Sequence, residues 1–395
     1  FSVFIFEEST MPKPFISLFI PNLDGGGAER VMLHLAEGFS KRGFNVDLVV
    51  AQAEGAYLSN IPDAIRLVNL DAKSPVLLFK TIALKQYLKQ EQPAFLISTL
   101  DIFSSATWAK RLAGVKTQVV MCVQTNLSQQ FRDRHAMLMQ KLKWAVVQRF
   151  YPLADAIVTA SEGVARDLEQ HTKIPMQQMT VIHNPVVTSD FTQKTQATVT
   201  HPWFADDQPP VLLGVGRIVK QKSFATLIHA FARVRKRHPA KLMILGDVDP
   251  REPDVKPELE LLIEKFGLQD DVLFLGFVEN PYAYMARANV FVLSSIYEGF
   301  GNVVAEAIAA GTPVVSTDCE SGPAEILNKG QYGELVPVGD HEAMADAIVA
   351  TLNQPIDTRV LKARSQAFTI DCIVRQYLDV LDKLQTIQCP TAGAL

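Results

Sequence analysis

Short apolar runs alternate with longer amphipathic runs along nearly the whole chain. In the first half the apolar runs are FISLFI (15–20), VDLVVA (46–51), FLIST (95–99), VVMCV (119–123), AIVTAS (156–161) and VIHN (181–184). In the second half they are VLLGVG (211–216), LMILG (242–246), VLFLG (272–276), VFVLS (290–294), PVVST (313–317) and GELVPV (333–338). Runs that stay apolar at successive positions suit strands covered by helices on both faces, as in a parallel sheet. Strand and helix repeated along both halves predict an α/β protein of two doubly wound domains, 11–190 and 211–370. Between them, TQKTQATVTHPWFADDQPP (192–210) is polar, Thr-rich and ends in two prolines, so 191–210 is read as a linker. A last helix, 371–388, carries Ile373, Tyr377, Leu378, Leu381 and Leu384 at helical spacing, and that face has to be buried.

Composition changes this picture little. The chain has 395 residues, is 48% hydrophobic and 20% charged, and has a net charge of −4, which suits two globular cores and gives no overall sign of nucleic-acid binding. The charge is uneven, +2 over 1–190 and −6 over the remainder. Cys122, Cys319, Cys372 and Cys389 are scattered without a CxxC, which fits free thiols and argues against zinc. Residues 1–10 lack a basic stretch and a cleavage site, so they are not read as a signal peptide, and Met11 is read as the natural start. No apolar run reaches about eighteen residues, so no transmembrane helix is expected.

In open α/β sheets ligands sit outside the carboxyl ends of the strands, so the loops after strands carry the chemistry. After the first strand come Gly25, Gly26 and Gly27, with a helix directly following. Glycines permit close backbone approach and helix amides suit phosphate, although an ordinary strand-to-helix turn looks the same. After the first strand of the second half, Arg217 and Lys222 could neutralise a diphosphate, or form a solvated basic loop. Phe277 and Val278 end another strand, where backbone contacts to a base are possible. In EGFGNVVAEAIAAG (298–311), Glu298 lies in a turn and Glu306 in a helix that Asn302 can cap and Gly311 ends. A glycosidase would use two carboxylates, but the cationic loop implies a phosphate that a glycosidase does not need. Ser321-Gly322-Pro323 predicts a tight turn with Glu325 at a helix start. Asp247 and Asp249 spell D-x-D, a pattern able to hold Mg²⁺ or Mn²⁺ through hard oxygens.

GGGAERV, HNPV, GRIVKQK and EGFGNVVAEAIAAGTPVVSTDCESGPAEI occur in that order over residues 15–385. Together they resemble the retaining GT-B glycosyltransferases of the large Glu-x7-Glu family that use nucleotide sugars, a family 4-like group. The resemblance implies two Rossmann-like domains facing a cleft, with an acceptor domain at 11–190 and a donor domain at 211–370. It also implies that helix 371–388 crosses back to the first domain. Arg217 and Lys222 would bind the donor diphosphate, Glu306 both ribose hydroxyls, and Glu298 the donor hexose. Backbone amides of Phe300, Gly301 and Asn302 would meet phosphate or sugar, and Gly25–Gly27 would close from the first domain. Many relatives carry a histidine after the fourth strand; this chain has Gln124, Thr125 and Asn126 there, which offer hydrogen bonds, and His135 lies too far along. Asp247 and Asp249 depart from the glycine pair of relatives. No cofactor and no metal are expected, because Arg217 and Lys222 supply the positive charge.

The resemblance therefore implies transfer of a hexose from a UDP-sugar, with UDP-glucose as the default, to a hydroxyl of an exopolysaccharide or lipid-linked glycan. The alternatives are a nucleotide-sugar epimerase on the same fold and a non-catalytic nucleotide-sugar-binding protein. On the acceptor side, 131–151 combines Arg132, Arg134, Lys141, Lys143 and Arg149 with Met137, Leu138, Leu142, Trp144 and Val146. It reads either as a core-facing helix with a basic outer face or as peripheral contact with an anionic membrane. The expected location is cytoplasmic, on the inner membrane face in the second case.

Overall fold

The computed structural model describes residues 13–72, 77–101, 105–132 and 137–388. Residues 1–11, His135 and Cys389 lie outside these, as do residue 134 of the basic segment and the side chains of Met137 and Leu138. The first sheet contains β1 (Ile16–Ile20), β2 (Val46–Val50), β3 (Arg66–Asn69), β4 (Phe95–Thr99), β5 (Gln118–Val123), β6 (Ala156–Thr159) and β7 (Met179–Val181) in the order β3-β2-β1-β4-β5-β6-β7. The second contains β8 (Val211–Val215), β9 (Lys241–Leu245), β10 (Val272–Gly276), β11 (Val290–Leu293), β12 (Val314–Thr317) and β13 (Glu334–Val336) in the order β10-β9-β8-β11-β12-β13. Both are parallel and wound in two directions from a central strand, so each is Rossmann-like.

Successive residues of the strands feed different cores, and this explains the unbroken apolar runs. On the second sheet Leu212, Leu242, Ile244, Val290 and Val292 belong to one buried cluster with the helices Phe224–Arg235 and His341–Asn353. Leu213, Met243, Leu245, Phe291 and Leu293 belong to another, with the helix Asn302–Ala310 and Phe368. Every one of these strand residues is at most 3% exposed. Burial of each such side chain stabilises by about 1.5–3 kcal/mol.

Two strands differ from expectation. VIHN contributes only Val181 to β7, and Ile182 leaves the strand with its amide still bonded to the Thr159 carbonyl. β3 was not expected from apolar patterning, because its residues are mostly exposed. It is held by charge: Arg66 lies opposite Asp47 in the ladder and its guanidinium bonds Asp47 and Glu91. The stretch 191–210 contains the helix Phe191–Gln196 and the 3₁₀ turn Pro202–Phe204, and buried Phe191 packs on Tyr282 at 4.6 Å.

The described chain divides into two compact units. One holds the residues up to Cys122 with Arg149–Ile157 and those from Leu381 onward; the other holds Val123–Gln148 and Val158–Val380. The last helix, Ile370–Gln388, therefore begins in the second unit and ends in the first. Its expected face is covered: Ile373, Tyr377, Leu381 and Leu384 are buried and Leu378 is half-buried.

Gly246, just after β9, has a φ of +134°, and a Cβ there would overlap the Gly216 carbonyl oxygen. Gly267 ends a helix at φ +64° with open space around it. Gly246→Ala is expected to lower unfolding stability by about 1–3 kcal/mol through overpacking, clearly more than Gly267→Ala. Urea unfolding checks this; equal losses would contradict the overlap.

Candidate active site

The strand order of the second sheet reverses between β8 and β11, and the loops leaving these two strands carry the predicted cations and carboxylate. Such switch points are where open α/β sheets take ligands. Lys222 closes a 3₁₀ turn after β8, and its Nζ donates to Glu298 Oε1 at 2.6 Å. Ser295 Oγ donates to the same oxygen at 2.6 Å. The side chains are only 16% and 10% exposed, so this ion pair is largely shielded from water. Three more bonds tie the two loops. The Ile296 amide donates to Gln221 O at 2.8 Å, Gln221 Nε2 to Tyr297 O at 2.8 Å, and Ser294 Oγ to Lys222 O at 2.8 Å. Burial and the Glu298 carboxylate push the Cys319 thiol up to about 12, which disfavours its reactive thiolate form.

Arg217 follows β8 and donates from Nη1 to Asp249 Oδ2 at 2.9 Å. Asp249 is also held by Arg251, whose Nε and Nη2 reach its two oxygens at 2.7 and 2.6 Å. The Arg251 guanidinium first, and then the Arg217 charge, hold the Asp249 carboxyl far below the usual carboxylate range. The other aspartate of D-x-D turns elsewhere: Asp247 Oδ1 accepts from the Phe277 amide at 3.0 Å. The two carboxylates thus serve different partners, and among the described residues no group of three or more His, Cys, Asp or Glu side chains is placed to hold a metal. The Phe277 ring is 66% exposed at the end of β10, while Val278 is half-buried against the core.

After β11 the chain turns through Glu298–Gly301 into the helix Asn302–Ala310. The N-cap is Gly301, at φ +87°, rather than Asn302. Asn302 is already helical and its Oδ1 accepts from Asn184 Nδ2 at 2.9 Å, so its side chain is not the cap that was expected. Gly311, at φ +88°, ends the helix as expected. Glu306 lies in the second turn and is 1% exposed, a carboxylate on a helix otherwise built, after Asn302, of Ala, Val and Ile. The Phe300 side chain is buried and stacks on His183 at 5.1 Å, and its carbonyl lies close against Gly322.

The 124–126 stretch packs on this turn within the second unit. A Cβ on Gly299 would overlap the Gln124 carbonyl oxygen, and Ser161 Oγ donates to Gly299 O at 2.7 Å. Asn126 is buried and caps the helix Leu127–Arg132: its Oδ1 accepts from Gln129 N at 3.2 Å and Ser128 Oγ at 2.9 Å. Its amide nitrogen points toward Glu320 and Ser321, 3.4 and 3.5 Å away. Sequence reading missed the role of Glu325. Its carboxylate accepts from the amides of Glu162 and Gly163 at the start of the helix Glu162–Thr172, at 2.9 and 3.1 Å, and meets His183 Nε2 at 3.2 Å. The only available signal was a glutamate at a helix start, just after Ser321-Gly322-Pro323.

In the first unit Gly25 has φ +94°, Gly26 caps the helix Gly27–Lys41, and Gly27 opens it. The Glu29 carboxylate folds back over Gly26, so the amino end of this helix faces its own glutamate. On the helix Met137–Phe150, Trp144 turns inward, 5.0 Å from Phe131 and stacked on His171 at 4.5 Å. Val147 is buried, whereas Lys141, Arg149 and Leu142 are exposed. Among the described residues no helix is long and apolar enough to cross a membrane.

Two family descriptions together cover most of the chain. Glycosyltransferase Family 4 matches residues 25–190, and Glycosyl transferases group 1 matches 197–367. The chain is 31% identical over 382 residues to an N-acetylgalactosamine-N,N'-diacetylbacillosaminyl-diphospho-undecaprenol 4-alpha-N-acetylgalactosaminyltransferase of Campylobacter jejuni, with 93% of this chain and 99% of the relative covered. It is 26% identical over 363 residues to the lipopolysaccharide core biosynthesis glycosyltransferase LpsE of Rhizobium meliloti, covering 90% and 96%. The solved structure of Anabaena Alr3699/HepE in complex with UDP-glucose superposes with a TM-score of 0.75 at 20% identity, covering 94% and 100%, a likeness of fold.

Burial alone would raise the Glu325 carboxyl, but the His183 hydrogen bond and the amides of Glu162 and Gly163 outweigh it and hold the group below its ordinary 4.5. A carboxylate depressed in the folded state contributes stability above 4.5 that is lost as pH falls through the lower folded value. Glu325→Gln is expected to cost about 1–3 kcal/mol at pH 7 and to flatten the acid limb of the stability profile. Chemical unfolding from pH 7 downward checks this; parallel profiles for both proteins would contradict it.

Proposed function

We propose a specific reaction for this chain, which belongs to glycosyltransferase family 4 and is a glycosyltransferase of the GT-B fold. It moves a hexose or N-acetylhexosamine from a UDP-sugar to a hydroxyl of a lipid-linked or polysaccharide glycan, with retention at the anomeric carbon. UDP-glucose is the default donor. The observation that carries this reading is the shielded Lys222–Glu298 pair at the β8–β11 switch point, with Glu306 buried in the second turn of the helix that follows.

The site's own residues account for each requirement. Arg217 and Lys222 face the diphosphate, and they supply the charge neutralisation for which other enzymes use a metal. Glu306 takes the two ribose hydroxyls, as a carboxylate with two acceptor oxygens can. Lys222 and Ser295 both meet Glu298 Oε1, and we assign Oε2 to a hydroxyl of the transferred sugar. The amides at Gly301 and Asn302 begin a helix and favour the phosphate. In the transfer the bond from the anomeric carbon to the diphosphate oxygen breaks. The acceptor oxygen bonds that carbon on the same face, and the acceptor proton passes to the leaving diphosphate. The nearby imidazole of His183 is engaged by Glu325 and stacked on Phe300, which fits a reaction without an imidazole base.

The lipid-linked acceptor is supported by the Campylobacter jejuni relative, whose name specifies a diphospho-undecaprenol glycan. Exposed Leu142 beside exposed Lys141 suits contact with an anionic lipid surface where such an acceptor would reside.

Purified protein with EDTA, a polyprenyl-diphosphate glycan and UDP-glucose, UDP-galactose or their N-acetylamino forms is expected to release UDP, and the product linkage read by NMR is expected to be α. UDP binding without release from any donor would point to a sensor, and a β product would overturn retention. For the ribose assignment, wild type is expected to favour UDP over 2′-deoxy-UDP by about 1–3 kcal/mol, and Glu306→Gln to abolish that preference. Calorimetry checks it; an undiminished preference in the variant would refute the assignment.

A further inference from the structure

We propose that Arg251 is a second guanidinium of the donor diphosphate site and that Asp249 is the positioning residue that holds it beside Arg217. This rests on the donor reading above and adds residues which that reading does not include.

Charge is the first reason. Each cation expected to bind the diphosphate is already met by a buried carboxylate: Lys222 by Glu298 and Arg217 by Asp249. Those two pairs together carry no net charge, yet a diphosphate bears at least two negative charges and gains more character as it leaves. Arg251 meets the same Asp249 and brings a further positive charge to it.

Geometry is the second reason. Asp249 is 4% exposed, but the side chains of Arg217 and Arg251 are 54% and 59% exposed. The anchor is therefore buried and both heads reach solvent. Both guanidiniums touch Asp249 Oδ2, Arg217 at 2.9 Å and Arg251 at 2.6 Å, so they lie side by side. Two cations so close would repel without the carboxylate between them, and a planar guanidinium has five donors, more than one carboxylate can use. Asp249 is fixed in turn: its Oδ1 accepts from the Arg251 amide at 3.0 Å, and its carbonyl from the Glu252 amide at 2.9 Å.

Position is the third reason. The loops after β8 and β9 are pinned together by an Ile218–Val248 bridge and by the Ile218 amide on Asp247 O at 2.8 Å. The aliphatic chain of Lys222 lies against Gly216, the residue before Arg217. All three cations thus gather at one mouth of the sheet, next to the switch point. If Asp249 merely stapled its loop, Arg251 would be replaceable without effect on phosphate binding.

The test is calorimetry on the full chain with UDP and uridine. Arg251→Ala, a change at an exposed side chain, is expected to weaken UDP about tenfold while leaving uridine within about twofold, as loss of a charge-assisted contact to phosphate alone requires. Asp249→Asn is expected to reproduce that pattern, and Arg251→Lys to restore part of the affinity with a single point charge. Unchanged UDP affinity in Arg251→Ala, or equal weakening of UDP and uridine, would overturn the inference. If Asp249→Asn fails to fold, the Arg251 variants decide alone. Wild type that binds none of UDP, GDP or ADP would remove the donor reading itself and this inference with it, an outcome visible before any variant is made.

Discussion

A lysine ammonium and a glutamate carboxylate shielded together from water hold the site in place. Taking either charge out of water costs several kcal/mol, and only close pairing with further hydrogen bonds offsets it. Lys222 and Glu298 meet that demand at 2.6 Å with Ser295 as a third partner. They come from loops after two different strands, so the pair can form only if both loops take one shape. The bonds from Ile296, Gln221 and Ser294 fix that shape. A loop fastened in this way presents its cation and its carboxylate with little conformational freedom left to lose on binding a ligand.

The sheet decides where this can happen. Because alternate residues of β8, β9 and β11 enter two different cores, no ligand can approach the faces of the sheet. Only the strand ends remain, and the reversal between β8 and β11 opens a crevice there. Gly301 then starts a helix just after that turn, and the same helix buries Glu306. Fold and candidate chemistry are therefore linked by one feature: strands covered on both sides end in loops, and the ion pair sits in those loops.

Much of this was legible in the chain. Apolar runs marked twelve of the strands because two-sided burial leaves no polar alternation to confuse with helix. β3 escaped because Arg66 and Asp47, a charge pair across the ladder, hold it in place of apolar packing. The VIHN strand was placed too late because the chain leaves β7 at Ile182 and turns to bring Asn184 onto Asn302 and His183 onto Phe300. The helix ends were marked by glycine, but the cap fell on Gly301, since Asn302 was needed by Asn184. Arg217, Lys222, Glu298 and Asp249 were identified as types, whereas their pairing was not, because Arg217 meets Asp249 and Lys222 meets Glu298 by tertiary contacts that no spacing reveals. Glu325 was noticed as a helix-start residue, but the helix it caps begins at Glu162, far away in sequence.

The coupling between Lys222 and Glu298 is the most direct measure of whether this pair organises the transfer. The measurement is a double-mutant cycle of Lys222→Met, Glu298→Gln and both changes, scored on kcat/KM with the preferred nucleotide-sugar donor and accompanied by unfolding curves. Each single change is expected to lose most of the activity, and the double change to lose much less than the two losses combined. The difference should be a coupling on the order of 1–3 kcal/mol. Losses that add independently would show that the two charges act separately, and would contradict a site built on their pairing.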